Sequence, residues 1–143
     1  MENIEEKKKN YLLEKKVKFI LNLMQRRMKI ISIIYQSQLF DKPLNSSEIF
    51  ENENLSDTQI KMLEAIEKRL PSIESIIKTH LSSNWPWKRI SPLTRAILIY
   101  GVFELQLNEH KIVINEMVNI AKVYGADYKF INAILDNIAK LLK

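Results

Sequence analysis

The chain has 143 residues, of which 46% are apolar and 27% charged, a balance that suits one folded domain with a sizeable core rather than wholesale disorder. It has no cysteine, which excludes disulfides, zinc–thiolate sites and cysteine nucleophiles, and its two glycines and four prolines are too few for a many-stranded sheet. The net charge of +5 sits wholly at one end: residues 1–29 carry nine Lys/Arg against four Glu, and the remainder holds 13 basic and 13 acidic side chains. A polyanionic partner and a solvated, lysine-rich helix face are both open readings of that asymmetry. No apolar run approaches the roughly 18 residues needed to cross a bilayer. The charged start Met1–Lys9 leads into neither an uninterrupted apolar segment nor a small-residue cleavage site, so a cytoplasmic location without a membrane partner is the expectation.

No Gly or Pro occurs before Pro43, and residues 4 to 40 read as helix throughout. Ile20, Met24, Arg27, Ile31, Ile34 and Tyr35 recur at three- to four-residue spacing and form a stripe flanked by charge. Asn22 with Gln25 resembles a capping box and predicts that one helix ends and another begins there, a single continuous helix being the alternative. Residues 41–55 read as a polar loop with room for one short helical turn around Ile49 and Phe50. Ser56 with Gln59 is a second cap, opening a helix through Ile60, Leu63 and Ile66 that should end before Pro71. Pro71 then fits the first turn of the next helix, with Ile73, Ile76, Ile77 and Leu81 as its apolar positions. Ser82 to Ile90 is a connection anchored by Trp85 and Trp87.

Ser91-Pro92 pairs an N-cap with proline at the first helical position. The helix it opens, Leu93 to Leu107, is apolar almost all round, the pattern of a central, buried helix. Ile112 to Tyr124 forms another, stopped by Gly125 as a left-handed cap. Asp127 caps the last, whose stripe is Phe130, Ile131, Ile134, Leu135, Ile138, Leu141 and Leu142. Six or seven helices without a strand signal predict an all-α bundle, divided into a basic helical extension (1–21) and the main helical domain (22–143).

The search for chemistry yields no catalytic residue, metal site or cofactor motif. His80 and His110 are far apart and lack Cys, Asp or Glu at ligand spacing. The two glycines are 24 residues apart and form no phosphate-cradling loop. The carboxylates are scattered over expected solvent faces, with no pair placed for acid–base work. The basic end is more informative. Arg26, Arg27 and Lys29 lie within one helical turn, with Tyr35 two turns on. Arginine can fork onto phosphate and an aromatic ring can stack on an unpaired base, which is the minimum for holding single-stranded RNA. The alternative has the arginines paired with acidic neighbours and Tyr35 filling the core.

The C-terminal half adds a resemblance. It reads Trp87-Lys88-Arg89-Ile90-Ser91-Pro92-Leu93-Thr94-Arg95-Ala96-Ile97-Leu98, then Phe103-Glu104-Leu105, Val113-Ile114-Asn115-Glu116 through Ala121-Lys122-Val123-Tyr124-Gly125, and Lys129-Phe130-Ile131-Asn132-Ala133-Ile134-Leu135-Asp136. This resembles the NusB family of transcription antitermination factors, in which "R-x-S-x-x-D-R-A-I-L" is followed by "Y-E-L", "I-N-E-A-V-E-L-A-K-x-F-G" and "F-V-N-G-V-L-D". Arg26-Arg27 leading into Ile34-Tyr35-Gln36 is similar to the family's arginine-rich start before "A-L-Y". The likeness covers about residues 24–40 and 85–139.

The resemblance implies a NusB-like bundle of two perpendicular helical subdomains. It also implies a non-enzymatic role in an RNA polymerase antitermination complex, binding boxA-like single-stranded RNA together with the small-subunit ribosomal protein NusE. By position, Arg26, Arg27, Lys29, Tyr35, Lys129 and Phe130 are the implied RNA contacts, and Tyr35, Thr94 and Arg95 the implied partner contacts. Four departures stand out. Thr94 replaces an acidic residue, Ile99 an arginine and Ala133 a glycine, and about 20 residues precede the usual start. The family's arginine cluster is reduced to Arg26, Arg27 and Lys29, while six lysines lie on the extension. Those departures keep open a helical protein-interaction domain of the same fold that has lost specific RNA binding. A relative of the NusB-like domain attached to ribosomal-RNA cytosine methyltransferases is a third reading, though this chain has no catalytic domain or cysteine nucleophile.

Overall fold

A computed structural model describes residues 3–52 and 54–142. Met1, Glu2, Glu53 and Lys143, and with them the outer ends of the two expected segments, lie outside the described residues, as does the side chain of Phe50. Six α-helices follow one another: α1 (Ile4–Leu39), α2 (Ser46–Asn52), α3 (Asp57–Thr79), α4 (Pro92–Leu105), α5 (His110–Tyr124) and α6 (Tyr128–Leu141), with a short 3₁₀ turn at Trp87–Arg89 before α4. No strand occurs among the described residues, so the architecture is the all-α bundle expected from composition.

The helix starts follow local chemistry. Asn3 Oδ1 accepts from the Glu6 N–H at 2.8 Å, and Glu5 and Glu6 place negative charge on the positive end of α1. Ser56 and Gln59 form the reciprocal capping box at the start of α3. Ser91 caps α4 with Pro92 in the first turn, Asp127 caps α6, and Gly125 ends α5 at φ 71°, a conformation that favours glycine.

Two boundaries differ from the sequence expectation. The helix does not break at Asn22: α1 runs unbroken for 36 residues, about 54 Å at 1.5 Å per residue. The Asn22–Gln25 pattern has the residues of a cap but no helix stop before it, and Leu23 and Met24 continue the packing stripe. Nor does the helix end before Pro71, which lies inside α3. Its missing N–H and ring clash act on the exposed side of the helix. The opposite side carries Leu63, Ile66, Leu70, Ile73 and Ile77 in an unbroken three-four repeat, and burial of that stripe outweighs the kink. The expected short turn near Ile49 is the seven-residue α2, whose Ser46 hydroxyl donates to Glu67 of α3.

At the centre of the bundle is α4. Eleven of its fourteen residues are buried, and it packs on α1, α3, α5 and α6. Gly101 lets α5 and α6 approach closely: a Cβ there would stand 3.0 Å from Leu135 Cδ1 and 3.1 Å from Met117 Cγ. Ile99 is fully buried, so the charge found at that place in the family has no room to reach water here. Ala133 is exposed on α6 and needs no glycine freedom. By contrast, α1 leaves the bundle at its N-terminal end. Every residue from Ile4 to Asn22 is exposed, including Tyr11, Leu12, Leu13, Val17, Phe19, Ile20 and Leu21.

Because Pro71 removes one backbone hydrogen bond from α3, Pro71→Ala should stabilise the protein by about 1–2 kcal/mol, after the entropy that proline removes from the unfolded chain is discounted. Thermal or urea unfolding measures this, and a lower stability for the variant would show that α3 needs its proline.

Candidate nucleic-acid interface

The basic end of α1 enters the bundle where α4 ends. The Arg27 Nε–H points at the carboxylate of Glu104, 77 residues later, and is shared between Oε1 at 2.9 Å and Oε2 at 3.2 Å. Its Nη1 lies 3.8 Å from Glu116 Oε2 on α5, so one guanidinium ties three helices together. The Glu104 side chain is only 5% exposed and that of Arg27 20%, which makes this a largely desolvated, charge-assisted contact. Burial alone would lower the Arg27 pKa. The hydrogen bond and charge of Glu104, with Tyr100 and Glu116 behind it, outweigh that and raise it, so the guanidinium is locked in its charged form.

One turn before Glu104, Tyr100 is buried against the same pair. Its phenol is pushed well above the ordinary tyrosine range, first by burial and then by the negative charge of Glu104. Arg26, the neighbour of Arg27, is exposed, and its backbone carbonyl accepts from Gln59 Nε2 of α3 at 3.4 Å. Arg26, Arg27, Ser56, Gln59, Tyr100 and Glu104 together line a cleft of about 390 Å³ between α1, α3 and α4. Lys29, two residues on from Arg27, is half-buried and does not line the cleft.

The other implied contacts lie elsewhere. Tyr35 is half-buried and packs on the core two turns down α1 from Arg27. Thr94 and Arg95 are at the opposite end of α4 from Glu104, about 14 Å along the helix axis. Thr94 is buried, its backbone N–H and Oγ1 both engaged by Ser91 Oγ. The Arg95 guanidinium lies over the Trp87 ring at 5.5 Å, and its Nε is buried without a hydrogen-bond partner among the described residues. Lys129 is exposed in the first turn of α6, and Phe130 is half-buried with its N–H donating to Asp127 Oδ1. The structure thus gathers Arg26 and Arg27 into one cluster and places Thr94 and Arg95 in another. Sequence reading gave no role to Glu104 or Tyr100, which orient Arg27. The only signal for Glu104 is the "F-E-L" motif itself, a lone carboxylate in an otherwise apolar helix, and Tyr100 has none.

No group of three or more potential metal ligands exists among the described residues, and no described helix is long and apolar enough to cross a membrane. The described residues form a helical bundle with one basic arm and a charge-clamped central helix. Residues 24–140 match the model of the NusB family, and the chain belongs to that family. Among its relatives, the transcription antitermination protein NusB of Fervidobacterium nodosum is 39% identical over 108 residues, covering 72% of this chain and 74% of its own. That of Nitratiruptor is 36% identical over 129 residues, covering 83% and 92%. The solved structure of T. maritima NusB superposes with a TM-score of 0.70 at 26% identity, covering 82% of this chain and 89% of that one.

Removing only one partner of the Arg27–Glu104 pair strands a buried charge. Glu104→Leu should therefore cost about 2–4 kcal/mol in urea unfolding, and adding Arg27→Met should recover most of the loss. Strict additivity of the two changes would show that the pair is not coupled. Tyr100 gives an alkaline signature. The unfolded chain releases that proton near pH 10, the folded chain only well above it. In that window the unfolded state holds one proton fewer, so stability falls with rising pH by up to about 1.4 kcal/mol per unit. Tyr100→Phe should flatten the loss between about pH 10 and pH 11 by one proton's worth, and an unchanged pH slope would contradict the assignment.

Proposed function

We propose that this chain binds short, boxA-like single-stranded RNA and, with the ribosomal protein NusE, helps assemble an RNA polymerase antitermination complex, without enzymatic activity of its own. The observation that carries this reading is the exposed Arg26 beside the immobilised Arg27, within residues 1–29, where nine Lys/Arg face four Glu. Glu104 fixes Arg27 through its Nε, so its charge is held in place before RNA arrives and little side-chain entropy is lost on binding. Arg26 and Lys29 supply further cationic contacts, and Lys129 contributes from the start of α6. Phe130 and Tyr35 offer ring surface to bases or partner. The relatives in Fervidobacterium nodosum and Nitratiruptor are transcription antitermination proteins, which supports the same assignment. We assign NusE to the other end of α4, where the half-buried Arg95 is stacked on Trp87, with Tyr35 and Thr94 as the further contacts the family pattern implies.

A second reading, a protein-interaction domain without specific RNA binding, draws on one observation: two carboxylates already share Arg27. Fluorescence anisotropy with a labelled boxA-type RNA decides between them. Binding at low salt that weakens by about the ~1–3 kcal/mol of a lost charge-assisted contact in Arg26→Ala supports the RNA reading. No binding at low salt, with NusE still captured by the same protein, establishes the second.

A further inference from the structure

The continuous α1 helix fixes the orientation of every side chain on the N-terminal arm. At 100° per residue, Lys8, Tyr11, Lys15, Lys18, Asn22, Arg26 and Lys29 fall within about 80° of arc, a single stripe repeating at three or four residues and about 32 Å long. Lys8 to Arg26 are all exposed along it. Each of Glu5, Glu6 and Glu14 lies at least about 40° outside that arc. The Lys15 ammonium sits over the Tyr11 ring at 5.2 Å, so the stripe's only aromatic is already held beside a cation. Leu13, Val17 and Ile20 occupy the other side of the helix and Leu12 its flank, in line with the residues that pack on α4 further down.

We propose that this stripe is a second RNA-binding track, extending the contact made at Arg26 onto single-stranded RNA flanking the boxA-like element. The inference rests on the RNA reading given above. The ligand is the phosphodiester backbone, read by lysines as point charges and therefore without sequence preference. Tyr11 stacks on one unpaired base. A membrane-surface helix would keep its cations off the apolar side. Here Phe19 borders the apolar side, but Tyr11 lies among the cations and Lys9 and Lys16 lie among Leu13, Val17 and Ile20, so the two faces are not segregated, which favours nucleic acid. The part of the stripe from Lys8 to Asn22 spans about 21 Å, the length of about six stacked nucleotides at ~3.4 Å each.

The test compares the full chain binding a 12-nucleotide boxA-type RNA with its binding of the same RNA carrying six unstructured nucleotides on the 5′ or the 3′ side, over a series of salt concentrations. One flanked RNA should bind more tightly. Its log–log salt slope should be steeper by about 2, from three added phosphate contacts at ~0.7 each, which is about a sixteenfold larger loss over a fourfold rise in salt. The variant Lys8→Ala/Lys15→Ala/Lys18→Ala, helix-compatible at exposed sites, should lose that increment and bind the 12-nucleotide RNA as the parent does. Tyr11→Ala should weaken only the flanked RNA, by about tenfold. The proposal is overturned if neither flank improves affinity, or if the triple variant keeps the full gain and slope. It is equally overturned if that variant loses binding to phosphatidylserine vesicles while its RNA binding is unchanged. Failure of the 12-nucleotide RNA to bind at all refutes the RNA reading itself, whereas normal binding of it with no benefit from flanks refutes only the track.

Discussion

The rest of the structure follows from the need to enclose α4. A fourteen-residue helix with apolar side chains in every direction cannot rest on one partner, because any uncovered face would leave several large aliphatic groups in water at about 25 cal/mol per Å². Four helices therefore surround it, and the amphipathic stripes of α1, α3, α5 and α6 are the complementary half of the same requirement. Gly101 allows the tightest of these approaches, where Leu135 and Met117 press against the helix backbone. The bundle depends on this one helix more than on the sum of its loops.

Enclosure creates the electrostatic problem that the basic end answers. Glu104 lies in the last turn of the buried helix, where an unpaired carboxylate would be costly and where the helix dipole is also unfavourable to negative charge. Arg27 neutralises it from α1, and Glu116 approaches the same guanidinium from α5. A residue that belongs to the basic arm by position is thus also the charge that closes the core. The orientation of the basic arm is therefore set by the interior of the domain rather than by its surface.

That double placement explains what the sequence could and could not disclose. Signals written within four residues were legible: the Ser56–Gln59 box, the Ser91-Pro92 start, Gly125 as a left-handed stop and Asp127 as a cap. Two local signals misled. Asn22 has a capping side chain and Pro71 a helix-breaking ring, yet in both places the apolar stripe continues through, and tertiary burial decides. The Arg27–Glu104 contact spans 77 residues and has no local pattern at all. The motif resemblance located both residues but did not join them. Lys29 and Arg26 were legible as charge. The alignment of Arg26 with the lysines upstream was hidden by the expectation of a helix break, because a break would have erased the common face.

The central position of α4 also has a consequence in time. On a ribosome adding roughly 5–20 residues per second, the 66 residues from the end of α1 to the end of α4 take roughly 3–13 s to appear. Throughout that interval Ile30, Ile31, Ile33 and Ile34 of α1 have no α4 to meet, and the apolar residues of the first five turns stand beside them. The nascent chain is therefore most exposed to aggregation after its longest helix is made and before its central one is. The lysines of that first helix add charge repulsion between neighbouring nascent chains during the same interval.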